Sequence, residues 1–240
     1  MSENSLKYLD LLNIEQKKAV ESTNGSLLVL AGAGSGKTRV LTFRILHILY
    51  NKLATPSQIL AVTFTNKAAS EMKTRIAKLI NLPIDRMWIG TFHSLALRIL
   101  RQHYEEVGLK KNFLIIDTDD QLKLVKNICI AEKIDTKEVS AKYYLNTIDS
   151  FKNKGTTYNS LKENKYRKND FELRKIYKIY QSELLRLNLV DFGDIILHCI
   201  NIFKKNNEIL TKYQNFFKYI HVDEYQDINP IQQNWIKLLY

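Results

Sequence analysis

The sequence has few cysteines and no long apolar run. Cys129 and Cys199 have no CxxC spacing and no histidine cluster nearby, so neither a disulfide framework nor a zinc site is expected. We expect two reduced, mostly buried thiols. No apolar stretch approaches the roughly 20 residues of a transmembrane helix. Residues 1–10 lack the apolar core of a secretion signal, which favours a cytoplasmic protein.

Acidic residues are outnumbered by basic ones. The 240 residues include 36 Lys and Arg against 25 Asp and Glu, which gives a net charge of +11. Because Lys and Arg beside phosphates release condensed counterions, this excess suits a polyanionic partner. Net charge alone leaves open whether that partner is a nucleic acid. The apolar fraction of 45% is sufficient for a buried core.

Strand and helix patterns alternate early in the chain. Apolar runs predict strands at 26–31, 59–64, 87–92 and 219–223. Helical patterns cover 13–20, 37–50, 67–80, 93–106 and 230–240. Such alternation is typical of an α/β fold in which helices flank a parallel sheet.

The middle of the chain is mostly helical, with one short strand candidate at 113–116. We therefore predict an α/β domain formed by 1–93 and 213–240, with a helical subdomain, 94–212, inserted in it. Between 152 and 168 the only acid is Glu163, and the run is either a DNA-facing patch or a solvated loop. Its basic residues are Lys152, Lys154, Lys162, Lys165, Arg167 and Lys168.

A glycine-rich turn follows the first predicted strand and begins a helix. Residues 31–38 read AGAGSGKT and hold three of the chain's eight glycines. Glycines let the backbone turn tightly and bring its N–H groups against phosphate oxygens. Lys37 can reach the β and γ phosphates of a nucleotide, and the Thr38 hydroxyl can ligate Mg²⁺. We predict a phosphate-binding loop, the P-loop, formed by Ala31, Gly32, Ala33, Gly34, Ser35, Gly36, Lys37 and Thr38.

An acidic pair follows the last predicted strand. Asp223 and Glu224 are expected at its carboxyl end, which faces the ligand crevice of a parallel sheet. Asp223 can hold the Mg²⁺ that bridges the phosphates, and Glu224 can orient and deprotonate the attacking water. This interpretation requires both carboxylates to lie near Lys37.

Six segments together resemble, in order, the conserved boxes of the UvrD/Rep/PcrA helicases of superfamily one, and most closely the PcrA-like members. They are 12–16 (LNIEQ), the P-loop, 63–69 (TFTNKAA), 91–94 (TFHS), 189–192 (LVDF) and 223–227 (DEYQD). The resemblance implies a RecA-like P-loop NTPase fold and an ATP-dependent DNA helicase that uses ATP and Mg²⁺. It also implies 3′-to-5′ movement on single-stranded DNA, binding to duplex junctions, and a role in DNA repair or replication. The implied protein is monomeric in isolation, nucleoid-associated and without a membrane partner.

The resemblance assigns roles around the nucleotide. Gln16 would bind the adenine edge, and Arg39 would stack on the base. Gln226 would sense the γ-phosphate and act in catalysis with Glu224 and Lys37, while Thr38 and Asp223 would ligate Mg²⁺. From the residues alone, a solvated side chain is the better interpretation of Gln16, and Arg39 is also compatible with an ordinary surface arginine.

The resemblance also implies a surface for single-stranded DNA. Its members would be Phe64, Thr65, Asn66, Lys67, Thr91, His93 and Phe192. Spacing alone favours Phe64 as a core residue, and it allows Asp191 to be only a helix N-cap. His93 has no carboxylate or nucleophile spaced beside it, so we do not predict a general base there.

Other functions compete with an ATP-driven helicase. One is a nucleotide-dependent DNA-binding remnant without motor activity, and another is a fragment of a helicase–nuclease subunit. The presence of Lys37, Thr38, Asp223 and Glu224 favours the motor. A small-molecule kinase is disfavoured because it does not need the segments at 63–69 and 223–227.

We expect the 240-residue polypeptide alone to bind nucleotide weakly and hydrolyse it poorly. The family's later boxes are not in this sequence, and an arginine supplied across the nucleotide cleft contributes about 10³–10⁵ in rate. A DNA-stimulated ATPase assay on the purified chain measures this, and robust turnover would contradict the expectation.

Overall fold

The computed structural model describes residues 8–32, 34–80, 84, 86–161 and 168–240, with the side chains of 168–170 excepted. These residues form two compact units. An α/β unit contains the described residues up to Leu95 and the segment Lys212–Asp227. A mostly helical unit contains Ala96–Thr211 and Ile228–Tyr240.

The regular elements follow the predicted order in most of the chain. The strands are β1 (Ile59–Thr63), β2 (Trp88–Thr91), β3 (Leu114–Ile115), β4 (Leu189–Val190) and β5 (Tyr219–Val222). The α-helices are α1 (Ile14–Glu21), α2 (Lys37–Tyr50), α3 (Asn66–Leu79), α4 (Phe92–Leu100), α5 (Thr118–Ala131), α6 (Ala141–Asn153), α7 (Lys168–Arg186), α8 (Phe192–Lys205), α9 (Asn207–Phe216) and α10 (Pro230–Leu238). Short 3₁₀ helices lie at Leu9–Leu11, Pro56–Gln58, Tyr104–Val107 and Tyr225–Asp227.

A parallel sheet lies at the centre of the α/β unit. Its strand order is β2-β1-β5, so β1 pairs on both sides. In this register Thr63 lies opposite Thr91, and Val62 lies opposite Val222. Every residue of β1 is buried, as expected for a strand covered on both faces. The carboxyl ends of all three strands therefore meet at one edge of the sheet.

Residues 26–31 are not the buried strand that their apolar pattern predicts. Leu28 is 68% exposed and Leu30 is 86% exposed. None of the strands in the described part of the chain pairs with this segment. An apolar run becomes a strand only where a neighbouring strand satisfies its backbone N–H and C=O groups. That strand prediction was wrong, and the P-loop follows a segment without regular structure.

Amphipathic helices account for the rest of the α/β core. In α3, Ala69, Met72 and Ile76 recur at helical spacing and are all buried. Helix α4 ends at Leu100, earlier than the predicted end near residue 106. The backbone there changes to a tighter turn of the 3₁₀ type, in which the Gln102 N–H donates to the Ile99 carbonyl.

The helical unit has its own core and a small parallel sheet. Strand β3 pairs with β4, with Leu114 opposite Leu189. Helix α10 packs against α8 and α6, so 228–240 joins this unit rather than the α/β unit that was predicted to contain 213–240. Both cysteines are buried and free, as predicted, and the Trp235 indole N–H donates to Cys199 Sγ at 3.0 Å. No helix of the described residues is long and apolar enough to cross a membrane.

A fully buried lysine lies inside the helical unit. Lys152 Nζ lies 2.6 Å from Asp191 Oδ2 and 2.7 Å from Asp194 Oδ1. Burial opposes the charged ammonium, but Asp194 and Asp191 outweigh burial and raise the pKa of Lys152. The Tyr180 hydroxyl donates a further hydrogen bond to Asp191 Oδ2 at 2.9 Å. Together, Lys152, Asp191, Asp194 and Tyr180 form the Lys152 cluster.

The Lys152 cluster corrects part of the predicted basic run. Lys152 was assigned to a solvated or DNA-facing segment, but its side chain has 0% exposure because two carboxylates hold it in the core. Lys154 is exposed, as the run predicts. Residues 162–167 and the Lys168 side chain lie outside the part of the chain that the structure describes.

We predict that Lys152→Met destabilises the protein by about 3–5 kcal/mol, because it leaves two carboxylates buried without their cation. Urea unfolding followed by circular dichroism measures the change. Lys154→Met is the matched control and should change the free energy of unfolding by less than about 0.5 kcal/mol, since Lys154 is exposed. Equal stability of the two variants would contradict the proposed importance of the cluster.

Candidate functional site

The P-loop has the backbone conformation that its glycines predict. Gly34 and Gly36 have φ values of 75° and 86°, in the left-handed region that favours glycine. Lys37 Nζ donates to the carbonyl oxygens of Ala31 at 3.2 Å and Gly32 at 3.4 Å. Ala33 lies outside the described residues. No described side chain caps the N-terminus of α2, so its first N–H groups are available to an anion.

A second hydrogen bond closes the P-loop on itself. The Ser35 hydroxyl donates to the Gly32 carbonyl at 2.7 Å, and the Ser35 backbone N–H points to the same oxygen at 3.4 Å. The loop is therefore organised by its own residues, with Lys37 folded onto its carbonyl groups.

A side-chain hydrogen bond joins the P-loop to the acidic box, residues 223–227. The Thr38 hydroxyl donates to Asp223 Oδ2 at 3.4 Å, across 185 positions of sequence. Asp223 is placed by the sheet, because its backbone N–H donates to the Val62 carbonyl at 2.9 Å. Burial, followed by the charge of Glu224, raises the pKa of Asp223, while Thr38 and Lys37 act in the opposite direction. The structure thus brings Thr38 and Asp223 together, with Lys37 near enough for its charge to act on Asp223. The predicted approach of Glu224 to Lys37 stays a prediction.

Glu224 and Gln226 form the second half of the acidic box. Glu224 has a φ of 49°, an unusual conformation for a residue with a side chain. Gln226 Nε2 donates to Glu224 Oε2 at 2.6 Å and to Asp227 Oδ2 at 3.1 Å. The Gln226 amide therefore holds the Glu224 carboxylate beside the buried Asp223.

Gln16 connects α1 to the P-loop. Asn13 is the N-cap of α1, because its Oδ1 accepts from the Gln16 backbone N–H at 2.8 Å. The Gln16 Oε1 accepts from the Asn13 backbone N–H at 3.1 Å, and its Nε2 donates to the Ser35 carbonyl at 2.9 Å. Nε2 carries a second N–H, which a base edge can accept. Gln16 is therefore not a purely solvated side chain.

Arg39 lies in the first turn of α2. Its side chain is exposed, and its guanidinium carbon lies 5.4 Å from the centre of the Phe43 ring. Stacking on an aromatic ring leaves the other face of a guanidinium open.

The first group of predicted DNA-binding residues lies at the carboxyl end of β1. Phe64 is 39% exposed, so it is not a fully buried core residue. It makes an edge contact with the buried ring of Phe92, with 6.3 Å between the ring centres. Thr65, Asn66 and Lys67 are exposed at the start of α3, where the Thr65 hydroxyl accepts from the Ala68 N–H at 3.1 Å.

The second group lies at the neighbouring carboxyl end of β2. Thr91 Oγ1 accepts from the Ser94 backbone N–H at 3.3 Å, and the Thr91 carbonyl accepts from the Ser94 hydroxyl at 2.9 Å. Burial lowers the pKa of His93, so its imidazole is neutral at pH 7. Because β1 and β2 are adjacent, the two groups share one edge of the sheet.

Gly90 supports this edge and was missed by the sequence analysis. A Cβ at Gly90 would lie 2.5 Å from Ser94 Oγ, closer than any side chain tolerates. The available signal was a glycine inside a buried apolar strand, which marks a close approach of other atoms.

Phe192 belongs to the helical unit. It is the first residue of α8 and is 56% exposed. The residue before it, Asp191, is the helix N-cap, and its side chain accepts from the Asp194 backbone N–H at 2.9 Å. The N-cap prediction is confirmed. Sequence analysis missed that this carboxylate also binds the buried Lys152, since no local pattern connects positions 39 residues apart.

The chain is similar to known proteins along most of its length. A family model described as UvrD/REP helicase N-terminal domain matches residues 12–240. The "ATP-dependent DNA helicase PcrA" of Staphylococcus aureus (strain Mu50 / ATCC 700699) is 43% identical over 231 residues, which are 96% of this chain and 32% of that protein. The protein of the same name from Staphylococcus epidermidis (strain ATCC 12228 / FDA PCI 1200) is 45% identical over 231 residues, which are 95% of this chain and 31% of that protein. This chain therefore spans about a third of the length of these relatives, and it belongs to the UvrD/REP helicase N-terminal domain family.

Proposed function

We propose that the chain is the nucleotide-binding part of an ATP-dependent DNA helicase, with a RecA-like P-loop fold. The observation that carries the proposal is the hydrogen bond between Thr38 and Asp223, because it joins the P-loop to the acidic box. The relatives at 43–45% identity are named ATP-dependent DNA helicases, which supports the same activity here.

ATP and Mg²⁺ are the cofactors that the site fits. The positive φ values of Gly34 and Gly36 turn the loop so that backbone N–H groups can surround phosphate oxygens. The Thr38 hydroxyl and the Asp223 carboxylate are hard oxygen ligands of the kind that Mg²⁺ prefers. Bound Mg²⁺ would supply positive charge that neutralises the phosphates. It would also reduce the repulsion between the Asp223 and Glu224 carboxylates.

In hydrolysis, the protein's own residues position water and stabilise charge. Glu224 accepts the proton of the attacking water at a carboxylate oxygen, and Gln226 orients that carboxylate through the hydrogen bond to Oε2. Lys37 leaves the loop carbonyls to bind the β and γ phosphates. Gln226 contacts the γ-phosphate and thereby couples the nucleotide to the sheet edge that carries the DNA-binding residues.

We propose that single-stranded DNA binds along the carboxyl edge of β1 and β2. Phe64 offers a partly exposed ring on which a base can stack. Thr65, Asn66, Lys67 and Thr91 supply hydroxyl, amide and cationic groups for backbone phosphates, and the neutral imidazole of His93 supplies a further hydrogen-bonding group. The helical unit contributes Phe192 and acts as the inserted DNA-binding subdomain, with duplex junctions as the substrate and 3′-to-5′ movement along one strand.

Lys37→Ala should weaken ATP binding by roughly 10- to 100-fold, the loss expected when a charge-assisted hydrogen bond to phosphate is removed. Its affinity for a fluorescein-labelled dT oligonucleotide should stay within about twofold, because Lys37 is not on the proposed DNA edge. Calorimetry with ATP and fluorescence anisotropy with the oligonucleotide measure the two affinities.

Lys78→Ala is the matched control, since Lys78 is an exposed lysine near the end of α3. It should leave both affinities unchanged. If Lys37→Ala lowers ATP and DNA binding equally, the proposed division between the two sites is wrong.

Phe64→Ala should weaken binding to the dT oligonucleotide by roughly 5- to 150-fold, since stacking on an aromatic ring contributes about 1–3 kcal/mol per base. Phe171→Ala, at a phenylalanine that is 68% exposed on α7, should have little effect. Anisotropy titrations at several salt concentrations measure both, and affinity should fall steeply with salt for every variant. An unchanged affinity in Phe64→Ala would remove the proposed base-stacking site.

A further inference from the structure

The helical unit contains a cavity that the proposed nucleotide and DNA sites do not use. Its volume is about 410 Å³, within the range of small-molecule sites. Apolar side chains from α7, β4 and α8 form much of the wall, including Leu184, Leu189 and Leu197. Tyr177 and Tyr158 add aromatic surface. The cavity therefore suits a compact and largely apolar molecule.

Gln181 is a wall residue with an acceptor that has no partner. Its Nε2 donates to Asp194 Oδ1 at 2.8 Å, and Asp194 in turn is paired with Lys152. The charged carboxylate fixes the orientation of the amide, because a flipped amide would place Oε1 against Asp194. Gln181 Oε1 is buried and has no hydrogen-bond partner among the described residues. A ligand that donates an N–H would satisfy it.

His198 is a second wall residue with an unpartnered polar atom. Its Nδ1 is buried and finds no hydrogen-bond partner in the described part of the chain. Burial is the largest influence and lowers the pKa of His198, so the ring is uncharged at pH 7. A neutral imidazole nitrogen is either a donor or an acceptor, and it pairs with whichever group a ligand presents.

Both residues line the cavity, but their unpartnered atoms are buried, so each side chain must rotate before it pairs with a bound molecule. The terminal torsions of glutamine and histidine are broad, so a modest change turns either group toward the space that it lines. A group without a partner when buried is unfavourable, and this favours rotation toward a ligand that pairs with it.

We propose that this cavity is a binding site for a small molecule that carries an amide N–H on a compact apolar body. The amide N–H of the ligand donates to Gln181 Oε1. A second polar atom of the same ligand amide pairs with His198 Nδ1. The apolar body packs against the leucines and tyrosines.

Benzamide is a suitable probe, titrated into the ¹⁵N-labelled 240-residue chain and followed by heteronuclear NMR. We expect shifts at Gln181, His198 and their neighbours, with a Kd on the order of 1 mM, ordinary for a ligand of this size. N,N-dimethylbenzamide lacks the N–H donor and should bind at least about 10-fold more weakly. Equal binding of the two probes would overturn the proposal.

Two variants locate the binding site. Leu185→Trp places a large ring at a half-exposed wall residue and should reduce benzamide binding by at least about 10-fold. Leu187→Trp is the matched control, because Leu187 is similarly exposed but does not line the cavity. Retained binding in Leu185→Trp, or the absence of shifts in the unmodified protein up to the solubility of benzamide, would refute the site.

Discussion

The parallel pairing of β1 with a strand on each side is the constraint on which the α/β unit depends. This pairing brings the carboxyl ends of β1, β2 and β5 to one edge and fixes which residue follows each strand there. It also places Asp223, whose backbone N–H bonds to β1, within reach of Thr38. A one-residue slip of β5 would turn the side chains of β5, and the Asp223 side chain that follows them, to the other face of the sheet. The proposed ATP and DNA sites therefore share a single structural origin.

In the helical unit the corresponding constraint is the Lys152 cluster. Burying an ammonium is costly, and it is tolerated here because two carboxylates and a tyrosine hydroxyl surround it. Asp191 binds Lys152 while it caps α8, so one carboxylate holds both α6 and the helix that begins with Phe192. Asp194 also fixes the Gln181 amide. The ion pair therefore shapes the start of α8 and the wall of the cavity.

Conformational cost is concentrated at the acidic box. Glu224 has positive φ, which costs of order 1–3 kcal/mol for a residue with a side chain. The hydrogen bonds from Gln226 to Glu224 and Asp227 offset part of this cost. The same residues are those proposed to orient water and contact the γ-phosphate. A strained residue held by polar contacts can change conformation when those contacts are exchanged for a ligand.

Local patterns in the sequence determined the elements whose causes are local. The helices, the N-caps Asn13 and Asp191, the glycine turn and the strands β1, β2 and β5 follow from periodicity, capping chemistry and glycine's freedom at positive φ. The family also follows from the sequence, because its boxes are short and ordered. Tertiary structure alone decided that residues 26–31 form no strand and that Lys152 is buried. Strand formation requires a partner edge, and burial of a charge requires counter-charges, and both come from distant positions that no local pattern reveals.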